Sequence, residues 1–543
     1  MKGILVVSAA LAIGVTGSAF ADERAELERL RETTLSLIQV LVDQGILTKD
    51  KAEALIAKAE EKGRAAAASG AGGGVAAGGA SAGATSARAG GSPERVRVPY
   101  VPETVRNEMR DEIKTEVLAQ ARAERWGDPG ALPEWMDRIR IAGDVRLRYD
   151  SQEFNKTNTS ATLYPFTVDN VLGTAFAPDL TNTTVDRTRL RLRARLGLQA
   201  KVNDETSAVI RVATGTAGDA TSTNQTLGGN NANLGKYVIL LDQAYVSWSP
   251  FKSSSRDWLT VLGGRIPNPW FSTDLVWDED LSFDGVAATV RPLRGNTFDP
   301  FVTLGAFPLR ENESSVQDRW LWGAQAGADI SISAKTKATF GIALYDFENL
   351  AGKPARAGTK GTADYGITEY SKGVRQKGNS LFNIADPTTT DTLYGLASNF
   401  RYMDYNGQIT FTHFSPVDIT LSGNYVNNVG FDSGEIKNRT GLNVAPQTAG
   451  YQGRLIVGHP SMNYKGKWQL SMAYRRLERD AVVDAFSDSD WHQGGTNHKG
   501  TSYVANFALG PNTWISARRI STSQISGPPL SMDVTYLDFN ARF

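Results

Sequence analysis

Arg187-Thr188-Arg189-Leu190-Arg191-Leu192-Arg193-Ala194-Arg195-Leu196-Gly197-Leu198 admits few folds. Successive side chains of a strand point to opposite faces. Leu190, Leu192, Ala194, Leu196 and Leu198 therefore make one aliphatic face, and Arg187, Arg189, Arg191, Arg193 and Arg195 make its guanidinium reverse. On a lipid-facing surface each mid-membrane Arg costs about 2 to 4 kcal/mol, and several together exceed the roughly 5 to 15 kcal/mol stability of a domain. The arginines must face water. If the aliphatic face meets lipid, the strand belongs to a barrel with a wet lumen. The competing arrangement is a soluble sandwich with a basic outer face.

The neighbouring strand repeats the scheme, with Ile141, Val145, Leu147 and Tyr149 on one side and Arg138, Arg140, Arg146 and Arg148 on the other. Further apolar faces come from Trp322, Ala324, Ala326 and Ala328, and from Trp468, Leu470, Met472 and Tyr474. Sixteen candidate strands follow from residue 139 to the end, near 139–150, 186–202, 205–214, 237–249, 257–266, 284–291, 299–306, 320–330, 336–346, 400–412, 417–429, 450–459, 466–476, 500–509, 512–522 and 532–543. Connections after even strands are short and those after odd strands mostly long. That alternation describes an outer-membrane barrel with periplasmic turns and extracellular loops. The last strand alternates Leu537, Phe539, Ala541 and Phe543 with polar residues and ends on Phe. This is similar to the C-terminal signature of outer-membrane proteins, which implies recognition of Phe539 and Phe543 by the barrel-assembly machinery.

Composition fits. The 543 residues carry 58 Lys plus Arg against 58 Asp plus Glu, which argues against broad adhesion to nucleic acid or anionic lipid. With no Cys, thiolate catalysis, disulfides, Fe–S clusters and Cys-ligated zinc are excluded. Residues 1–21 read as a secretory signal, an apolar run from Ile4 to Val15 ending in Ala19-Phe20-Ala21. No later apolar run is long enough for a spanning helix, so a membrane crossing requires a closed barrel.

Residues 22–64 are helical by pattern, with Leu27, Leu30, Thr34, Leu37 and Leu41 in heptad spacing and a second short helix after Gly45; a helical hairpin and a coiled coil remain open. The linker, 65–97, contains 12 Ala and 9 Gly among the 27 residues from Ala65 to Gly91. Residues 98–137 hold another periplasmic helix, Glu103 to Trp126, leading into a barrel over 138–543. Homotrimer formation through these helices is left open.

Val98-Pro99-Tyr100-Val101-Pro102-Glu103, Ala123-Glu124-Arg125-Trp126-Gly127, Leu132-Pro133-Glu134-Trp135, Gly143-Asp144-Val145-Arg146-Leu147-Arg148-Tyr149 and Gly264-Arg265-Ile266-Pro267-Asn268-Pro269-Trp270 widen the comparison. Together they resemble the putative porin family of proteobacterial outer membranes over nearly the whole mature chain. The resemblance implies a periplasmic helical N-terminus and a channel-forming barrel, and fixes no substrate.

The third long connection, Pro267 to Phe283, carries Asp274, Asp278, Glu279 and Asp280 beside Trp270, Phe271 and Trp277. In sixteen-stranded general porins, which the arrangement resembles, this loop folds inward and sets acids against a basic wall. An ordinary solvated acidic loop is the alternative, because periodicity does not give a loop's direction. Enzyme chemistry finds little support. Gly229 to Lys236 has the wrong spacing for a phosphate loop, and Asp488, Asp490, His492 and His498 fit no zinc pattern, which leaves them a plain polar loop. His413 and His459 have no identifiable Ser partner. No cofactor or metal is called for. Two functions remain: a diffusion channel for small hydrophilic solutes, including anions, and an envelope tether whose helical arm binds peptidoglycan or a periplasmic partner. Arginine on the inner faces of the first two strands, with Lys337, Thr339, Lys467, Gln469 and Ser471 elsewhere, favours the channel.

Overall fold

Each run of alternating residues from Ile139 onward forms a strand in the computed structural model, which describes residues 138–161, 180, 182–229, 233–253, 256–293, 295, 297–313 and 317–543. The signal, the helical pieces and the linker expected over residues 1–137 lie outside the described residues.

In chain order the strands are β1 (Ile139–Phe154), β2 (Arg187–Lys201), β3 (Thr206–Ala213), β4 (Leu240–Trp248), β5 (Leu259–Pro267), β6 (Ser282–Val290), β7 (Phe298–Arg310) and β8 (Arg319–Ser333). They continue as β9 (Thr336–Glu348), β10 (Arg401–Phe414), β11 (Val417–Asn428), β12 (Ala449–Gly458), β13 (Trp468–Leu477), β14 (His498–Gly510), β15 (Thr513–Gln524) and β16 (Ser531–Arg542). Consecutive strands pair antiparallel throughout. β16 returns to β1, from Asp144 opposite Arg542 to Phe154 opposite Met532, so the sheet closes and no edge is left. The sixteen strands coincide with those read from parity. β3 ends opposite Arg195, and the two-residue strand Gln225–Thr226 covers Arg191 and Leu192 above it.

Phe543 extends this seam by one more pair. Gly143 and Phe543 exchange backbone hydrogen bonds at 2.9 and 3.0 Å. A Cβ on Gly143 would meet the Phe543 ring at 2.6 Å and the Arg195 carbonyl oxygen at 2.7 Å, so the seam requires glycine there.

The two faces separate as the sequence anticipates. Ile141 is 66% exposed and Leu196 48%, whereas Arg148, Asp150, Gln152 and Asp538 are buried on the inner side. The interior itself is divided. Loops L3 (268–281), L5 (349–400) and L7 (478–497) pack inside the ring, where Trp270, Leu275, Val276 and Trp277 of L3 join Val482 and Val483 of L7. Against them lie Phe283, Phe307, Leu321, Tyr345 and Tyr402 of β6 to β10. The charged cavity is thus bounded by β1, β2 and β12 to β16, and the inner faces of β6 to β10 carry aromatic side chains covered by loops, interspersed with buried polar groups such as Gln325, Asp404 and Asn406.

Candidate functional site

Trp277 fixes L3. Its ring is 1% exposed and stands edge-on to Tyr345 and Phe283, with centroids 5.1 Å away in both cases. The Phe271 amide donates to Gln325 Oε1 at 2.8 Å, and Gln325 Nε2 returns a bond of 2.8 Å to the Phe271 carbonyl. Gly323 leaves room for Trp270, whose ring would touch a Cβ there at 2.5 Å. With one side of the loop held against β6 to β10, its acids project to the other side.

Asp280 Oδ1 lies 3.1 Å from Arg195 Nη1 and 3.8 Å from Arg193 Nη1, and Asp280 Oδ2 accepts from Thr223 Oγ1 at 2.9 Å. Asp274 reaches the other side of the cavity, 2.7 Å from Arg454 of β12 and 3.1 Å from Arg475 of β13, with Gln452 donating at 2.7 Å. Asp278 faces no arginine and accepts the Ser489 and Asp280 amides at 2.9 and 2.8 Å. Glu279 is exposed to the cavity.

The sequence-predicted arginines fall into two groups. Arg138 and Arg140 are exposed at the short-turn end of β1, and Arg187 is exposed at the first position of β2. The other six lie between. Asp144 holds Arg193 and Arg195 at 2.9 and 2.8 Å, and Asp150 holds Arg189 at 2.6 Å and Arg191 at 3.9 Å. Arg148 is shared by Asp538 at 2.8 Å and Asp490 at 3.2 Å, and Arg146 donates to Asn224 at 2.6 Å.

Sequence reasoning did not single out Arg454, Arg475 and Arg518, although strand parity places all three on the inner face. It also treated Asp488 and Asp490 as part of a plain loop. L7 enters the ring, anchored by Trp491 under the Arg475 guanidinium at 4.4 Å, and Asp490 meets Arg518 at 3.0 Å. His492 Nδ1 lies 3.0 Å from Thr522 Oγ1, so these residues serve the loop's packing.

The result is a cavity of about 510 Å³ lined by Arg146, Arg148, Arg193, Arg195, Arg454, Arg518 and Arg542 and by Asp274, Asp278, Glu279, Asp280, Asp488, Asp490 and Asp538. The seven cations do not face seven full anions. Burial, together with the charges of Asp488 and then Asp280, holds the Asp278 carboxyl well above the ordinary carboxylate range. Burial and the charge of Asp274 push Asp488 up to about 8. Burial alone would raise Asp490 too, but the guanidinium groups of Arg148 and Arg518 outweigh it and hold that carboxyl below its ordinary value. At neutral pH the arginines are in excess.

The sequence matches the family model described as "Putative porin" over residues 31–543. Among curated proteins none matches. Solved structures with a similar fold include OprB of Pseudomonas putida at high pH (10% identity, 76% of this chain and 96% of that one, TM-score 0.44). They include the outer membrane channel DcaP of Acinetobacter baumannii (11%, 75% and 97%, 0.39). They also include an anion-selective porin from Comamonas acidovorans (9%, 75% and 99%, 0.39). Because the family model covers nearly all of the chain, this protein belongs to the family described as "Putative porin".

Proposed function

We propose that the chain forms a water-filled channel in the bacterial outer membrane for passive diffusion of small hydrophilic solutes and ions, with no catalytic role. The observation that carries this reading is the closed sixteen-strand ring, aliphatic outside, around a cavity lined by charges of both signs. In this reading the β1 and β2 arginines are the conducting wall, and Asp274, Asp278, Glu279 and Asp280 are the constriction loop. Excess arginine at neutral pH gives a local preference for anions within about one Debye length, roughly 8 to 10 Å. Outer-membrane lipid covers the aliphatic face, and Phe539 and Phe543 address the barrel-assembly machinery. Residues 22–137 form the periplasmic arm, and a homotrimer is the assembly to be sought by cross-linking in membranes.

Single-channel recording in planar bilayers under KCl gradients is the test. Conductance steps with a reversal potential towards Cl⁻ are expected, and Arg191→Glu with Arg193→Glu should move it towards K⁺. Absence of steps from folded, inserted protein would sink the channel.

The loop-filled apolar half of the ring favours a second reading, an anchor barrel whose arm tethers the envelope. Retention of the full chain on peptidoglycan, lost when residues 22–97 are deleted, together with an absence of conductance steps would favour it.

A further inference from the structure

A second cavity, about 390 Å³, lies between β6 to β8 and loops L3, L5 and L7. Small-molecule sites typically occupy about 300 to 1,000 Å³. This one exists because the β6–β7 ladder ends at Val286 opposite Ala306, although β6 begins at Ser282 and β7 runs on to Arg310. The strand ends part above that rung, and Trp277, Phe283, Phe307 and Phe486 line the space.

Arg319, the first residue of β8, lines the same chamber and is only 6% exposed. Its Nη2 donates to the carbonyl oxygens of Ile367 and Glu369 at 2.9 and 3.0 Å. Glu369 on the same wall acts on it only from farther away, and Asp284 is taken up by Arg265 at 2.9 Å; among the described residues no carboxylate lies within ion-pair distance of it. Arg310, directly across the β7–β8 ladder, has none either. Elsewhere in the ring the deeply buried Arg148 and Arg475 sit against Asp538 and Asp274 at 2.8 and 3.1 Å. A buried guanidinium without a counter-ion is costly, and a second cation beside it adds to the cost.

We propose that this chamber binds a small anion with an apolar body, of the aryl carboxylate class. The carboxylate supplies Arg319 with an anion at ion-pair distance, which Glu369 does not reach, through charge-assisted hydrogen bonds, and the ring enters the aromatic walls. The proposal rests on the channel reading only for the ligand's route to the site.

Isothermal titration of the folded full-length protein in detergent, with benzoate and with neutral benzamide, tests it. Benzoate is expected to bind saturably and at least tenfold more tightly than benzamide. Arg319→Gln should weaken benzoate at least tenfold and leave benzamide unchanged. Val374→Trp, placed on L5 at the chamber's rim, should abolish both. Heat-modifiable gel mobility establishes that each variant is folded. No saturable benzoate binding to the wild-type protein, or equal affinity in folded Arg319→Gln, overturns the site. If that variant does not fold, unchanged benzoate binding by Val374→Trp overturns it. Conductance of the same preparation separates the two ideas: binding without conductance sinks the channel and keeps the site, and conductance without binding sinks the site alone.

Discussion

Replacing Asp280 by Asn removes one negative charge from the cavity and leaves its neighbours partnered. Arg193 and Arg195 keep Asp144 at 2.9 and 2.8 Å, and the Asn oxygen still accepts from Thr223, so no buried cation is stranded. For an ion passing at about 5 Å in a water-like medium, one unit charge is worth about 0.8 kcal/mol, which screening over a Debye length of about 8 Å halves to about 0.4 kcal/mol. The loss favours Cl⁻ and disfavours K⁺ by that amount each, so the permeability ratio should rise roughly fourfold towards the anion. In a tenfold KCl gradient that is a reversal-potential shift of about 25 mV. Asp533→Asn removes the same charge from the outer face, where Asp533 pairs with Arg519 at 2.8 Å, and should shift nothing. A shift under about 5 mV for Asp280→Asn, with conductance steps intact, would refute the placement of L3 beside the conducting path.

Raising the pH from 7 to 9 carries Asp488 through its value of about 8, adding a negative charge to the cavity, so Cl⁻ preference should fall; in Asp488→Asn the reversal potential should stay flat over that range. Because the folded chain keeps this proton after the unfolded chain loses it near pH 4, the group's linkage lowers stability progressively from about pH 4 to 8 and no further, measurable as urea midpoints at each pH. Trp277→Ala should cost about 3 to 5 kcal/mol, lowering the heat-modifiability midpoint and making conductance noisier; an unchanged midpoint would mean that L3 is held by its hydrogen bonds alone. Gly143→Val should clash with the Phe543 ring and the Arg195 carbonyl and reduce folded barrel in outer-membrane fractions, as should deletion of Phe543; normal levels of both would detach barrel closure from the terminal residue.

The strands were legible because their signal is local. Two residues of a strand settle which face is which, and a water-filled lumen beside lipid makes the contrast as sharp as Arg191 against Leu192. Parity also places Arg454, Arg475 and Arg518 on the inner face, where each is the single charge on that face of its strand and catches the eye less than the run from Arg187 to Arg195. The division of the lumen was not legible. Asp274 and Arg454 are 180 positions apart and Asp490 and Arg148 are 342 apart, and no periodicity relates a loop to the wall it will touch. Nor does parity distinguish an inward Tyr345 that lines water from one that packs beneath Trp277.

The loops follow a common plan that explains how the acids come to be fixed at all. A carboxylate on a flexible loop would lose most of its pairing free energy to side-chain and backbone ordering. In L3 the acids at 274, 278, 279 and 280 bracket Trp277, and in L7 those at 488 and 490 precede Trp491; both rings are fully buried inside the barrel. The indole orders the backbone through apolar burial, so Asp274, Asp280, Asp488 and Asp490 meet arginines already set by the strands, while Asp278 is held by backbone amides. The wall carries the fixed cations together with acids of its own, Asp144, Asp150 and Asp538, and the loops add the anions that reach across the lumen. On this account the charge pattern of the cavity can be altered through L3 and L7 without touching the sixteen strands, provided the two tryptophans stay.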